Sequence, residues 1–134
     1  MRYLTSLVLF SAGLIWAADI KVIANPSVKV TQVSPDELKR IFLATNTSLE
    51  GGHVVPVFAK GGATHEAFLK QYLGKTDAAF NTYYRSLVFT GKAFMPKVLA
   101  SDAEVAAWVA KTKGAIGYVN ASASAPGAKE IMVR

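Results

Sequence analysis

The stretch Val33-Ser34-Pro35-Asp36-Glu37-Leu38 constrains the fold most, because it fixes a helix start almost to the residue. Ser34 suits the N-cap, and Pro35 suits the first helical position, where a missing N–H costs nothing. Glu37 stands three residues after Ser34, the spacing of a capping box in which each side chain satisfies the other residue's backbone N–H. Val33 can staple onto Leu38, and Leu38, Ile41 and Phe42 then share one apolar face. Ahead of this helix, Asp19 to Ala24 alternates polar and apolar residues until Asn25-Pro26 breaks the pattern, which predicts a strand and a turn. Behind it, residues 43–52 read as a loop rich in Thr, Asn and Gly, and His53 to Phe58 reads as a short strand. Pro56 lacks an N–H to donate, so it predicts an edge position or a bulge there. Strand, helix and strand in this order point to an α/β domain.

The rest of the chain continues that alternation. Thr64 to Leu73 carries Phe68, Leu69, Tyr72 and Leu73 at helical spacing, and Gly74 closes it. Thr76 caps a further helix to Phe89, with Phe80, Tyr83, Tyr84, Leu87 and Val88 along one side and one of the two adjacent tyrosines turned outward. Ser101 and Glu104 form a second capping box, opening a helix with Val105, Trp108 and Val109 that Gly114 stops. Ala115 to Val119 predicts a buried strand and Glu130 to Val133 a last one. The expected architecture is α/β, a small mixed sheet flanked by helices in two or three layers, as a single domain over residues 19–134. Most aromatics, Phe89 among them, fall on element faces and predict core packing. Phe94 and Met95 sit in the 91–96 loop and predict an exposed apolar patch that contacts a partner.

Residues 1–18 read as separate from that domain. Met1-Arg2 give a positive start, Leu4 to Trp16 is mostly apolar, and the small Ala17-Ala18 precede Asp19. That order predicts a secretory signal peptide and a periplasmic or secreted protein, with an uncleaved anchor as the alternative. The apolar run is short for a membrane-spanning helix. Cleavage after Ala17 fits better than after Ala18, which would put Trp16 third before the cut. Losing Arg2 from 15 basic residues, against 9 acidic ones, lowers the formal charge from +6 to +5. The basic residues are spread out, so the field favours small anions or anionic surfaces. Without a basic run or an aromatic–basic stripe, nucleic acid is not an expected partner. No cysteine is present, which excludes disulfides, thiol catalysis and cysteine–zinc sites and leaves stability to the packed core.

The chemistry-bearing residues are few. His53 and His65 lie in no metal-ligand spacing and are expected at the surface. Asp36, Glu37, Asp102 and Glu104 are accounted for by first-turn compensation of helix dipoles. No glycine-flanked serine elbow is present, so an enzyme is not expected, and nothing calls for a cofactor or metal. The remaining feature is Lys60-Gly61-Gly62-Ala63-Thr64. Two glycines let the chain turn tightly, and the helix start behind them presents unpaired N–H groups that suit an anion. Thr64 adds a hydroxyl, and Lys60 and Lys92 can add charge. The competing reading is structural, with Thr64 capping its own helix.

The segments SPDELKRIFL, VVPVFAKGGATHEAFLKQYLG, YYRSLVFTGKAFMP and SDAEVAAWVAKTKGAIGYVNAS together resemble the PstS-like (phosphate ABC transporter substrate-binding protein-like) branch of the type II periplasmic binding proteins. The resemblance runs from about Ile20 to Val133. It implies a single lobe of that fold, corresponding to the second lobe with a hinge-derived strand, whereas full-length members clamp the ligand between two lobes. In the family the loop ahead of the second helix often reads Arg-x-x-Gly-Ser-Gly-Thr and holds phosphate. Here Gly61 and Thr64 keep the family residues, while Phe58, Gly62 and Ala63 stand at the arginine, serine and second glycine positions. A tryptophan usual in the loop after the first helix is also replaced, with Leu49 nearby. Loss of the bidentate charge and a hydroxyl implies at most weak oxyanion binding. The resemblance implies an exported, non-catalytic solute-binding-like domain. The alternative is a cell-envelope protein–protein interaction module, with an envelope or membrane protein as partner. Nothing in the sequence specifies an oligomeric state.

Overall fold

A computed structural model describes residues 19–134, so the predicted signal peptide at 1–18 lies outside the described residues. The capping box forms as expected. Ser34 Oγ accepts the Glu37 N–H at 3.1 Å, Glu37 Oε1 accepts the Ser34 N–H at 3.0 Å, and α1 runs Pro35–Phe42 with Leu38, Ile41 and Phe42 buried. Eight strands are described: β1 (Ile20–Ala24), β2 (Gln32–Val33), β3 (Ser48–Leu49), β4 (Gly52–His53), β5 (Val55–Ala59), β6 (Lys97–Leu99), β7 (Ala115–Asn120) and β8 (Lys129–Val133). Six of them form one mixed sheet in the order β2-β8-β1-β7-β5-β6, while β3 and β4 pair as a separate hairpin. β5 runs parallel to β6 and β7; β1 runs antiparallel to β7 and β8.

Pro56 is accommodated without a bulge. Val55 donates to Gly114 O at 2.8 Å on the β7 side, so the next residue's nitrogen faces β6, whose pairing begins only at Val57. The absent N–H therefore falls where the strand is still an edge.

Strands at the sheet centre are buried on both faces, as crossover helices on either side require. One face packs Val22, Phe58, Ile116 and Tyr118 against α1, α2 (Gly62–Phe68), the π-helical turn that continues it (Leu69–Leu73), and α3 (Asp77–Phe89). Phe42, Phe58 and Phe68 are fully buried there in tilted and edge-on aromatic contacts, the arrangement the ring quadrupole favours. The other face packs Ile23, Val57 and Val119 against Val105, Ala106 and Val109 of α4 (Asp102–Lys111). Gly117 makes that contact close: a Cβ there would lie 3.1 Å from Val105 Cγ1 and 3.3 Å from Val109 Cγ2. Three layers result, helix, sheet and helix.

Phe89 departs from expectation. It is 91% exposed, because it shares the solvent-facing stripe of α3 with Thr82, Arg85 and Ser86, three to seven residues before it, while Leu87 of the same turn packs on the core. The adjacent tyrosines behave differently too. Tyr84 OH donates to Phe42 O at 2.7 Å and Tyr83 OH to Leu43 O at 2.6 Å, so both close the exposed carbonyl end of α1 and neither is free in solvent. Among the described residues no helix is long and apolar enough to cross a membrane.

Candidate functional site

The parallel strands β5, β6 and β7 end at one rim of the sheet, the edge where open α/β sheets place their ligand sites. The chain leaves β5 at Lys60, whose N–H donates to Leu99 O at 2.8 Å, and turns through Gly61 and Gly62 into α2. Gly61 (φ 70°, ψ −172°) and Gly62 (φ 89°) occupy backbone regions that side chains disfavour. Lys60, Gly61, Gly62 and Ala63 are exposed, and Thr64 is half-buried.

The expected cap does not form. The N-cap of α2 is Gly61 and no side chain caps it, because the positive-φ glycines start the helix three residues earlier than a Thr64 cap would. Thr64 therefore lies inside the first turn. The other three described α-helices each carry a capping hydroxyl: Ser34 on α1, Thr76 on α3, Ser101 on α4. The α4 start differs from the expected box in one respect, since Glu104 Oε1 accepts the N–H of Ala100 at 3.1 Å rather than that of Ser101. Asp102 does more than offset a dipole: it accepts the Asn120 N–H at 3.0 Å and ties α4 to the end of β7.

Lys92 is not brought to this rim. It lines an open cavity of about 290 Å³ with His53, Val55 and Pro56, at the other end of β5. That strand separates it from Gly61 by about 15 Å.

Beneath the first turn of α2 lies a network that spacing alone did not reveal. His65, expected at the surface, is only 3% exposed. Its Nδ1 is 2.5 Å from Tyr118 OH and its Nε2 is 2.9 Å from Asp77 Oδ1. Tyr118 OH also accepts the Ala59 N–H at 3.0 Å. One assignment satisfies every group: Tyr118 donates to Nδ1 of a neutral imidazole, and Nε2–H donates to the Asp77 carboxylate. Burial pushes the Tyr118 phenol well above its ordinary value, with Asp77 and Asp102 adding to the rise and the Ala59 N–H opposing it. A fully buried, proton-retaining phenol has no access to a substrate, so the chain Tyr118–His65–Asp77 acts as a brace. It ties β5, β7, α2 and the start of α3 together directly under the Gly-Gly turn. The signal for it was present in the helical spacing, since His65 precedes Phe68 and Leu69 by three and four residues and so shares their buried face.

Asp77 is half exposed and, with Glu66, Lys70 and Lys75, lines an open cavity of about 610 Å³. Among the described residues no cluster of three His, Asp or Glu side chains is placed to hold a metal.

No family model matches the chain, and no curated protein matches it. Solved structures do. An ABC-type phosphate transport receptor from Vibrio cholerae superposes with a TM-score of 0.67 at 16% identity, over 87% of this chain and 46% of that one. PstS from Borrelia burgdorferi superposes with a TM-score of 0.68 at 14% identity, over 87% and 47%. It has the fold of a binding-protein lobe. A putative phosphate ABC transporter substrate-binding protein from Clostridium perfringens, solved with bound phosphate, agrees at a TM-score of 0.66 and 16% identity, over 87% and 45%. The lobe spans about half the length of each of these proteins.

Proposed function

We propose that the protein is an exported, non-catalytic, solute-binding-like lobe that holds a small oxyanion, phosphate or sulfate, weakly at Gly61, Gly62, Ala63 and Thr64, with Lys60 adding charge. The observation that carries this reading is the uncapped, glycine-started N-terminus of α2 on the carboxyl rim of the parallel strands. Backbone N–H groups and the helix dipole favour an anion there. The phosphate named for the structural relatives supports the choice of ligand. Affinity is weak because Phe58 is buried in the core and supplies no charge, and because one lobe leaves the anion open to water. Isothermal titration with phosphate and with sulfate tests the reading. The expected result is a millimolar dissociation constant, weakened several-fold by Lys60→Gln and left unchanged by Lys92→Gln. Absence of heat at millimolar ligand, together with indifference to Thr64→Val and Lys60→Gln, overturns it.

A further inference from the structure

We propose that the end of α3 and the segment after it form a docking face for an anionic lipid bilayer. The face is built from protruding apolar side chains set among cations. Phe89 closes α3 at 91% exposure and Phe94 follows at 93%, with Met95 also exposed. These side chains are not carried on a loose loop. Thr90 donates its N–H to Ser86 O, Gly91 turns at φ 74°, and the Lys92 N–H returns to Leu87 O at 2.8 Å, so the chain beyond Phe89 is pinned to the last turn of α3.

The charge around them has one sign. From residue 78 to residue 101 the chain has Arg85, Lys92 and Lys97 and no Asp or Glu. Arg85 shares a shallow hollow with Phe89, and Lys92 and Lys97 line an open cavity together with Phe94 and Met95; neither hollow has an acidic residue in its lining. Lys97 also sits 5.9 Å from the centre of the Trp108 ring, which holds this cation at the edge of the face. Aromatic side chains that enter the headgroup boundary, ringed by cations that attract acidic lipid, are the composition of an interfacial anchor.

Protrusion favours a bilayer over a protein partner. Phe89 and Phe94 each stand more than nine-tenths exposed, so neighbouring side chains do not frame them in the packed, water-excluding surround of a protein hot spot. Insertion into a bilayer needs no such frame, because the lipid closes around each ring. The proposal is independent of the oxyanion reading, because the face lies at the opposite end of β5 from Gly61.

The test is co-sedimentation of the purified protein with vesicles of phosphatidylcholine alone and with vesicles of equimolar phosphatidylcholine and phosphatidylglycerol. The expected result is at least about tenfold stronger binding to the anionic vesicles at low salt, falling as salt rises. The triple variant F89S/F94S/M95S loses about tenfold or more on those vesicles with an unchanged thermal midpoint, since all three side chains are exposed. R85Q/K92Q loses the preference for phosphatidylglycerol and the salt dependence. Equal binding to both vesicle types, or none, overturns the proposal. Binding unchanged in the triple variant also overturns it, and assigns membrane affinity to another segment such as the apolar Leu4 to Trp16. Capture of an acidic protein that the triple variant abolishes, with no vesicle binding, overturns it in favour of a protein partner.

Discussion

The hydroxyl of Tyr118 satisfies two other groups at once, the Ala59 N–H and His65 Nδ1, and all three are sealed from water. Tyr118→Phe keeps the ring, and with it the stacking on Phe68 at 3.9 Å, but leaves both partners buried without a mate. Each orphaned group costs about 1–3 kcal/mol, so the variant is expected to lose roughly 2–6 kcal/mol in a urea titration. The same hydroxyl sets an alkaline limit. Its pKa is raised on folding above the ordinary 10.0, so the folded state keeps a proton that the unfolded chain releases. The associated stability is whole below about pH 10 and is lost as pH rises towards the folded value. Tyr84 OH, raised chiefly by burial and further by Tyr83, adds a loss of the same sign. Between about pH 8 and about pH 11 the thermal midpoint of the wild type should therefore fall further than that of Tyr118→Phe. Equal falls would show that the Tyr118 proton does not contribute. In the sequence, His65 and Tyr118 are 53 residues apart, and no local pattern records a contact that only the sheet creates. What the pattern did hold was the face that His65 shares with Phe68.

At the scale of elements, legibility followed the chemistry of ends. The start of α1 could be read because Ser34, Pro35 and Glu37 act through local spacing, and the structure keeps every bond of that box. The start of α2 could not, because glycine marks a position by what it permits rather than by what it bonds. β6 is three residues long and half of β3–β4 is Gly and Ser, too little for a period of two to register. The misplacement of the α2 cap has a measurable consequence. If Gly61 starts the helix, Thr64→Val removes no cap and should shift stability by less than about 0.5 kcal/mol. Gly61→Ala meets no atom within 4 Å, so its whole cost is the backbone at φ 70°, about 1–3 kcal/mol. Denaturant midpoints of the two variants decide the point. A loss of about 1 kcal/mol in Thr64→Val would restore the threonine as cap.

At the scale of the molecule, alternating strands and helices announced an α/β fold, but nothing local announced the strand order. β1 pairs with β7, setting Val22 against Tyr118, and hydrophobic periodicity is silent about which distant strands meet. The two faces of the sheet carry separate side-chain clusters, yet the backbone of β1, β5 and β7 belongs to both. Ile23 points to the α4 side while its neighbours Val22 and Ala24 point to the other. This shared sheet is the physical ground for expecting residues 19–134 to behave as one domain, although the matching region is only about half the length of the solved structures it resembles. Phe58→Ala hollows the side of α1–α3 and should cost about 3–5 kcal/mol; Ile23→Ala hollows the α4 side and should cost about 2–5 kcal/mol. Probes exist for each face. Trp108, the only tryptophan after residue 18, reports the α4 side by fluorescence, and near-ultraviolet dichroism of Tyr72, Tyr83, Tyr84 and Tyr118 reports the other. If the sheet couples the layers, either variant lowers the midpoints of both probes together, because neither cluster can open while the strands beneath it stay paired. A Phe58→Ala protein whose tyrosine signal melts before its Trp108 signal would mean that the layers unfold as separate units, and that this half-length chain depends on something beyond its own sheet to act as one.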